Sequence, residues 1–318
     1  MNALVTLAEA DRSKFLGGSD AAAVIGVSPW NTPVELWMKK TGRAPAEVID
    51  RVRQKIFDRG HKLEPFIRDM VIDKLRDRGH TVELIACNQR YVDPEFPFLS
   101  CEIDFELLLD GEHINCDAKS VTGFARKKWG EEDSEDVPIE YAAQFMFGLM
   151  VTPGDRRRCL VAALRSFDDV DIFWTLRDDE TIAAMRPKLV SFWVDHVQAD
   201  VPPDPNTFTD IKALFPNDNG LAIEASQDIA DKVSQLREVK ARIKEFVEAE
   251  EALTFEVAEY ISPHSRLTLG GLEIATWKGQ NDTRLDTAAF KAAHPELFQQ
   301  FTRTKTIRVL RLKKGNTQ

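Results

Sequence analysis

Asp104, Asp117 and Lys119 have the residue types and the spacing to gather around a cation. They flank the dipeptide Asp110-Gly111 within residues 102–120. Asp-Gly supplies the two positive-φ positions that a type I′ hairpin turn requires. Around that turn Leu109 faces Glu112, Phe105 faces Cys116 and Asp104 faces Asp117. Side chains alternate along each strand. One face then carries Ile103, Phe105, Leu107, Leu109, Ile114, Cys116 and Ala118, and is almost wholly apolar. The other carries Glu102, Asp104, Asp117 and Lys119. Opposed side chains lie ~5 Å apart, and like charges there destabilise the pair. Two aspartates face to face therefore ask for a cation between them, and Lys119 stands on the same face. The plainer reading of Lys119 is a cross-strand pair with Glu102, which the same register sets opposite it.

Other polar residues interrupt apolar patterns. In residues 51–78, Leu63, Phe66, Ile67, Met70, Val71 and Leu75 recur at helical spacing and predict one buried helix face. Glu64 sits beside that face, before Pro65 and just after Gly60. Proline is tolerated in a first helical turn, so a helix can begin there, with Glu64 complementing its dipole. Residues 138–151 predict a helix apolar nearly all round, hence buried against a sheet. Gln144 is the polar exception in its middle. A buried glutamine must find partners, and those can be structural or belong to a site. Residues 12–27 predict a Gly-rich turn, then a short helix N-capped by Ser19 or Asp20 and stopped at Gly26.

The chain has 318 residues and 43% hydrophobic content, enough for a large domain with a real core plus an extension. No run approaches the ~18 apolar residues of a membrane span, and the first residues lack the pattern of a secretion signal. These features predict a cytoplasmic protein with no membrane contact. Cys87, Cys101, Cys116 and Cys159 form no C-x-x-C pair. They read as small buried hydrophobes in a reducing compartment, not as zinc or iron–sulfur ligands. The net charge of −10 argues against a protein that simply coats nucleic acid. It leaves room for an enzyme with a local basic surface. Basic clusters occur at Arg126-Lys127-Lys128, at Arg156-Arg157-Arg158, and at Arg303, Lys305, Arg308, Arg311, Lys313 and Lys314.

The elements that would position these residues follow in order. Thr32-Pro33-Val34-Glu35 is a capping box with proline at the first helical position. Residues 81–87 read as a strand. Residues 158–164 and 170–176 read as a second hairpin, around Ser166-Phe167-Asp168-Asp169, and a helix follows over about 178–199. The stretch VPPDPNTFTD breaks the pattern, which sets a boundary between residues 1–205 and 206–318. Beyond it, Ile229, Val233, Leu236, Val239, Ile243, Val247, Leu253 and Val257 predict one long amphipathic helix. A hairpin about Gly270-Gly271, a helix over 286–301 and a basic strand over 304–312 complete the reading.

The segments RSKFLGGSDAAAVIG and RGHKLEP, the spaced Asp104 and Asp117-Ala118-Lys119, and Trp129 with Pro138, Tyr141 and Gln144 resemble the YqaJ-like viral recombinase family. These are phage-type nucleases related to phage lambda exonuclease, within the PD-(D/E)xK superfamily. The tail from TWKGQ to RVLRL resembles the C-terminal extension of many phage members. The resemblance implies an α/β (α+β) fold with a restriction-endonuclease-like core. A central mixed sheet would be flanked by helices, and residues 206–318 would form a helical and hairpin extension. It implies catalytic roles for Glu64, Asp104, Asp117, Lys119 and Gln144. Asp104, Asp117, Glu64 and the Ala118 backbone carbonyl would hold Mg²⁺, with Mn²⁺ as a substitute. Most relatives carry glutamate where this chain has Asp117, one methylene shorter. Arg12 and Ser19 match residues that hold a 5′-phosphate in the exonuclease branch. Arg126, Lys127 and Lys128 would line the DNA path.

Mg²⁺ prefers oxygen ligands and keeps several waters. It lowers the pKa of an attacking water and offsets charge in an in-line displacement, while Lys119 would orient that water. The activity implied is 5′ to 3′ resection of double-stranded DNA ends in a bacterial host, with a single-strand annealing partner. Relatives also form rings. Two alternatives stay open: an endonuclease or nickase, and an inactive DNA-binding recombination scaffold.

Overall fold

The computed structural model describes residues 11–44, 51–121, 125–166, 169–304 and 306–313, with the side chains of 51–54 and 56–58 left aside. Phe167 and Asp168 of the second expected turn, and Lys305 and Lys314 of the basic tail, lie outside the described residues. A five-stranded sheet runs in the order β1 (Val82–Val92), β2 (Ser100–Leu109), β3 (Glu112–Ser120), β4 (Arg158–Leu164) and β5 (Asp171–Leu176). The β3–β4 pair is parallel and the other pairs are antiparallel. A parallel pair needs a crossover, and here it carries helix Ile139–Val151. The expected α/β class with a central mixed sheet is therefore what the chain adopts.

The β2–β3 turn is the one the dipeptide demands: Asp110 and Gly111 have φ of 50° and 86°. Phe105 faces Cys116, Leu107 faces Ile114 and Leu109 faces Glu112. Phe105, Leu107, Leu109, Ile114 and Cys116 pack with Ile67, Val71 and Leu75 of helix Arg51–Asp77. The other sheet face packs Cys159, Val161, Ala163 and Phe173 against Phe145 and Leu149. The sheet is thus sandwiched between two helical layers.

Three expectations about the flanking helices change. The helix Arg51–Asp77 runs unbroken through Gly60 and Pro65. Glu64 is therefore not in a first helical turn, and dipole complementation does not explain it. The apolar residues that follow bury one continuous face, which carries the helix across the proline. Phe66 does not join that face and is exposed. The first helix, α1 (Gly18–Val24), is N-capped by Gly17 rather than by Ser19 or Asp20. Asp20 lies in its first turn and accepts from the Gly17 N–H at 2.9 Å. For the later helices, α2 is Pro33–Lys40, α3 is Arg51–Asp77 and α4 is Ile139–Val151. Helix α5 (Asp179–Ser191) continues as a π-helical segment, Phe192–Gln198. With α1, α2 and α4 it encloses a core that includes Leu16, Trp37, Leu99, Ile103 and Phe147.

The chain divides into two compact units, Met1–Leu214 and Phe215–Gln318. The last helix of the first unit, α6 (Phe208–Leu214), is tied down by the fully buried Asp210. Its carboxylate accepts from Thr32 Oγ1 at 2.6 Å and from the backbone N–H groups of Asn206 and Thr207.

The second unit contains α7 (Gln227–Ile261) and the hairpin β6 (Arg266–Leu269) and β7 (Leu272–Thr276). Two short helices follow, α8 (Thr287–Ala293) and α9 (Pro295–Phe301), where one had been expected. The break falls at His294, φ −136° and ψ 62°, because a residue before proline is driven out of the helical region. Among the described residues after Thr302 there is no strand. The tail is held by side-chain hydrogen bonds, Arg308 to Phe215 O and Arg237 to Lys313 O, and not by a ladder. No helix among the described residues is long and apolar enough to cross a membrane.

Candidate active site

The hairpin ladder stops one residue short of the two aspartates, at the pair Phe105 and Cys116. The β1–β2 register also steps over Asp104, passing from Cys87–Phe105 to Gln89–Ile103. Opposite the gap, Asn88 has a φ of 52°. Alternation along β2 breaks there too. Ile103, expected on the face of Phe105, packs instead with α1, α4 and α5. Asp104 thus lies where β2 is unpaired on both sides, and its carboxylate takes over a backbone partner: Oδ2 accepts from the Ala118 N–H at 2.8 Å. The Ala118 amide thus holds Asp104 in place.

Asp117, Lys119 and Gln144 form a closed triangle. Lys119 Nζ lies 2.6 Å from Asp117 Oδ1. Gln144 Nε2 donates to Asp117 Oδ2 at 3.0 Å, and Lys119 Nζ donates to Gln144 Oε1 at 3.4 Å. The polar exception of helix α4 therefore finds its partners in the hairpin, not in its own helix.

The electrostatics follow from burial. Burial and then the neighbouring Asp117 push the Asp104 carboxyl well above the usual carboxylate range. Lys119 and the Ala118 amide oppose that rise, and Glu64 adds to it. Burial by itself pulls Lys119 down, but Asp117 and Asp104 together hold it above its ordinary value. The lysine thus supplies the positive charge that the paired aspartates require.

Glu64 stands apart from this triangle. Its carboxylate faces His61 Nδ1 at 3.2 Å, and its charge reaches Asp104 only as the weakest contributor to that shift. Among the described residues no three His, Cys, Asp or Glu side chains converge as a metal-holding group. The expected Glu64, Asp104, Asp117 ligand set is therefore not assembled. Glu64 would have to leave His61 to complete it.

Arg12 and Ser19 do meet: Arg12 Nη2 donates to Ser19 Oγ at 2.9 Å. A Cβ at Gly18 would lie 3.2 Å from Gln144 Cγ and 3.3 Å from Gln144 O. Glycine lets α1 lie this close to α4 without either helix giving way by a few tenths of an ångström, and the approach sets Ser19 one residue from the Gln144 contact. Lys40 secures the loop beneath, donating to Arg12 O, Phe15 O and Asp20 Oδ2, each at 2.7 Å. Burial pulls Lys40 down, partly offset by Asp20.

Arg126, Lys127 and Lys128 are exposed on the 3₁₀ turn Ala125–Lys128 that follows β3. Lys128 Nζ lies 3.5 Å from Glu140 in the first turn of α4. The Arg156–Arg158 cluster is internally balanced. Arg156 is buried on Asp155 and Glu106, Arg157 faces Asp179, and Arg158 faces Glu112. Cys101, Cys116 and Cys159 are buried as expected, whereas Cys87 is exposed and accepts from Arg68 at 3.3 Å.

Sequence reasoning missed an aromatic wall beside Lys119. The Lys119 ammonium lies 5.4 Å from the Tyr141 ring centre and 5.5 Å from that of Phe145. Tyr141 is flanked by Trp129 at 5.7 Å and by Trp30 at 5.6 Å. Trp30 is 56% exposed. Its loop is braced by Ser28 Oγ, which accepts from the N–H groups of Trp30 and Asn31. Trp129 and Tyr141 stood out in the sequence only as motif residues, and Trp30 only as a tryptophan outside any periodic segment.

Residues 9–155 match the model of the YqaJ-like viral recombinase domain. The uncharacterized protein YqaJ of Bacillus subtilis (strain 168) is 24% identical over 295 residues, covering 91% of this chain and 88% of that protein. Among solved structures, an alkaline exonuclease (LHK-Exo) from Laribacter hongkongensis is 18% identical, covering 60% of this chain and 91% of its own, with a TM-score of 0.42. LHK-Exo in complex with dAMP gives 19% identity and a TM-score of 0.41. The matched stretch, residues 9–155, contains Arg12, Ser19, Glu64, the two-aspartate hairpin and Gln144.

Proposed function

We propose that this protein is a divalent-metal-dependent DNA exonuclease that resects double-stranded ends from 5′ to 3′. The observation that carries the reading is Asp104, bonded to the Ala118 amide next to Asp117, with Lys119 and Gln144 closing on Asp117. Asp104 is a half-buried acid held well above its usual range by desolvation and by Asp117, a state that a bound cation relieves. That fits a hard, oxygen-preferring ion such as Mg²⁺, or Mn²⁺ in its place. Asp104, Asp117 and the Ala118 carbonyl would hold it, and Glu64 would join on leaving His61. The ion would supply Lewis acidity and a lowered water pKa.

The protein's own groups do the rest. Lys119 offsets phosphate charge and orients the attacking water. Gln144 fixes Asp117 and Lys119 relative to each other. Arg12 is a permanent cation with a planar fork suited to phosphate. With Ser19 it would take a terminal 5′-phosphate, and the Gly18–Gln144 approach links that pocket to the carboxylates. Arg126, Lys127 and Lys128 would track the duplex backbone. Trp30 and Tyr141 offer a face on which an unpaired base can stack. The strand left behind would pass to a single-strand annealing protein of the bacterial host cytoplasm.

One experiment tests the reading. End-labelled linear duplex with a 5′-phosphate, the same duplex with a 5′-hydroxyl, and a covalently closed circle are incubated with Mg²⁺. Shortening from the 5′ end, slower on the hydroxyl and absent on the circle, is expected. Equal degradation by the parent and Asp117→Ala rules the mechanism out. Cutting of the circle replaces it with endonuclease action.

A further inference from the structure

Helix α7 spans Gln227–Ile261, and most of its apolar side chains face solvent. They recur at the first and fourth places of five successive heptads. Ile229, Leu236, Ile243 and Val257 hold first places, and Val239, Phe246, Leu253 and Tyr260 hold fourth places. Lys232 and Glu250 fill the remaining two. Val233 and Val247 widen this stripe by one place on one side and Phe255 lies off it, while the first and fourth places form the seam of a coiled coil. The middle of the seam is among its most open parts: Ile243 is 55% exposed, Phe246 73% and Leu253 63%.

The charges of α7 say what the seam meets. All five of its bases, Lys232, Arg237, Lys240, Arg242 and Lys244, precede Glu245. From Glu245 to the helix end there are six glutamates and no base. A parallel copy would set glutamates against glutamates. An antiparallel copy sets the basic half of each helix against the acidic half of the other, and opposes the two helix dipoles as well. A surface that complements itself under a two-fold rotation is the mark of an isologous interface.

We propose that α7 is a dimerisation helix that pairs antiparallel with α7 of a second copy of this chain. One register closes every layer, each first-place residue meeting a fourth-place residue of the other helix. Ile243 packs on Phe246 around the two-fold axis, Leu236 on Leu253, and Ile229 on Tyr260. The two charged seam positions find partners in the same register. Lys232 meets Val257 beside Glu256, and Glu250 meets Val239 beside Lys240. Arg237, which bonds the Lys313 carbonyl, lies outside the seam.

The test uses the full chain carrying Cys87→Ser, which removes the exposed thiol. Leu236→Cys and Leu253→Cys proteins are oxidised separately and as a mixture, then run on non-reducing gels. The antiparallel register cross-links only the mixture. Cross-linking of Leu236→Cys with itself signifies a parallel pair and overturns the proposal. Sedimentation velocity should show a dimer whose Kd rises ~10-fold or more in Ile243→Lys. The melting of the first unit should stay unchanged, because the substituted residue is solvent-exposed. A monomeric parent, or an assembly indifferent to Ile243→Lys, overturns it equally.

Discussion

Replacing Lys119 by methionine keeps the reach of the side chain and removes its charge. The ammonium lies 2.6 Å from Asp117 Oδ1, and the two side chains are 18% and 13% exposed. Such exposures put the pair with buried ion pairs, where losing one partner costs ~3–5 kcal/mol, and not with surface pairs worth ~0.2–1 kcal/mol. Lys119 is also one of the influences that hold the Asp104 carboxyl down. Lys119→Met therefore leaves two neighbouring, largely buried carboxylates without their cation, and Asp104 should retain a proton at higher pH than in the parent. Urea unfolding followed by tryptophan fluorescence reads this well, since five of the six tryptophans precede Leu214. Without divalent ions the variant should lose about 3 kcal/mol or more. An ion that binds only the folded state returns ~2.7 kcal/mol at a hundred times its Kd. Mg²⁺ should thus stabilise Lys119→Met more than the parent, in which it must first displace the ammonium from Asp117. The double variant Lys119→Met/Asp117→Asn should recover part of the deficit, because no uncompensated carboxylate remains at position 117. A single variant within ~0.5 kcal/mol of the parent, or equal stabilisation of both by Mg²⁺, would refute the cation-sharing account.

Gly18→Val should lower stability by ~1–3 kcal/mol, the usual cost of overpacking, because its Cβ would press on Gln144 at 3.2 Å; an unchanged melting temperature would mean the α1–α4 approach is not as close as described. Trp30→Ala should weaken single-strand binding by up to the ~1–3 kcal/mol of one stacked base, with Trp30→Phe keeping part of it. Fluorescence anisotropy without divalent ions checks this, and equal binding would remove Trp30 from the DNA path. Tyr91 donates to Glu106 at 2.7 Å, and burial first and that carboxylate second push its pKa from 10.0 to about 12. A raised pKa means the folded state holds the proton more tightly, so this contribution is complete below pH 10 and is lost as pH rises through about 12. The stability advantage of the parent over Tyr91→Phe should shrink across that window in denaturant titrations, and a constant difference would contradict it.

Local chemistry made the hairpin legible. Asp110-Gly111 needs positive φ at both positions and obtains it, so the pairing of Phe105 with Cys116 could be counted out from the turn. The capping box at Thr32 and Glu35 forms for the same reason: both halves lie within one turn of helix. The short-range pattern marks Gln144 as a polar residue in an apolar helix, and the resemblance gives it a role but no partners. Which partners it satisfies depends on which sheet face α4 covers, and no short-range pattern encodes that.

The tertiary structure decided the rest. Helix α3 runs through Pro65 because its apolar face is buried on the sheet, a gain that outweighs the local preference to break. The β2–β3 ladder ends just before Asp104 and the β1–β2 register steps over it, so the carboxylate binds the Ala118 amide in place of a regular cross-strand pair. Glu64 turns toward His61, a rotamer choice with no signature in spacing. The sequence by itself determined which residue types stand at which intervals: the acids, the lysine, the turn between them and the heptads of α7. Only the folded chain decided which of them meet, because separations of tens of residues are closed by the packing of α1, α3 and α4 on one sheet.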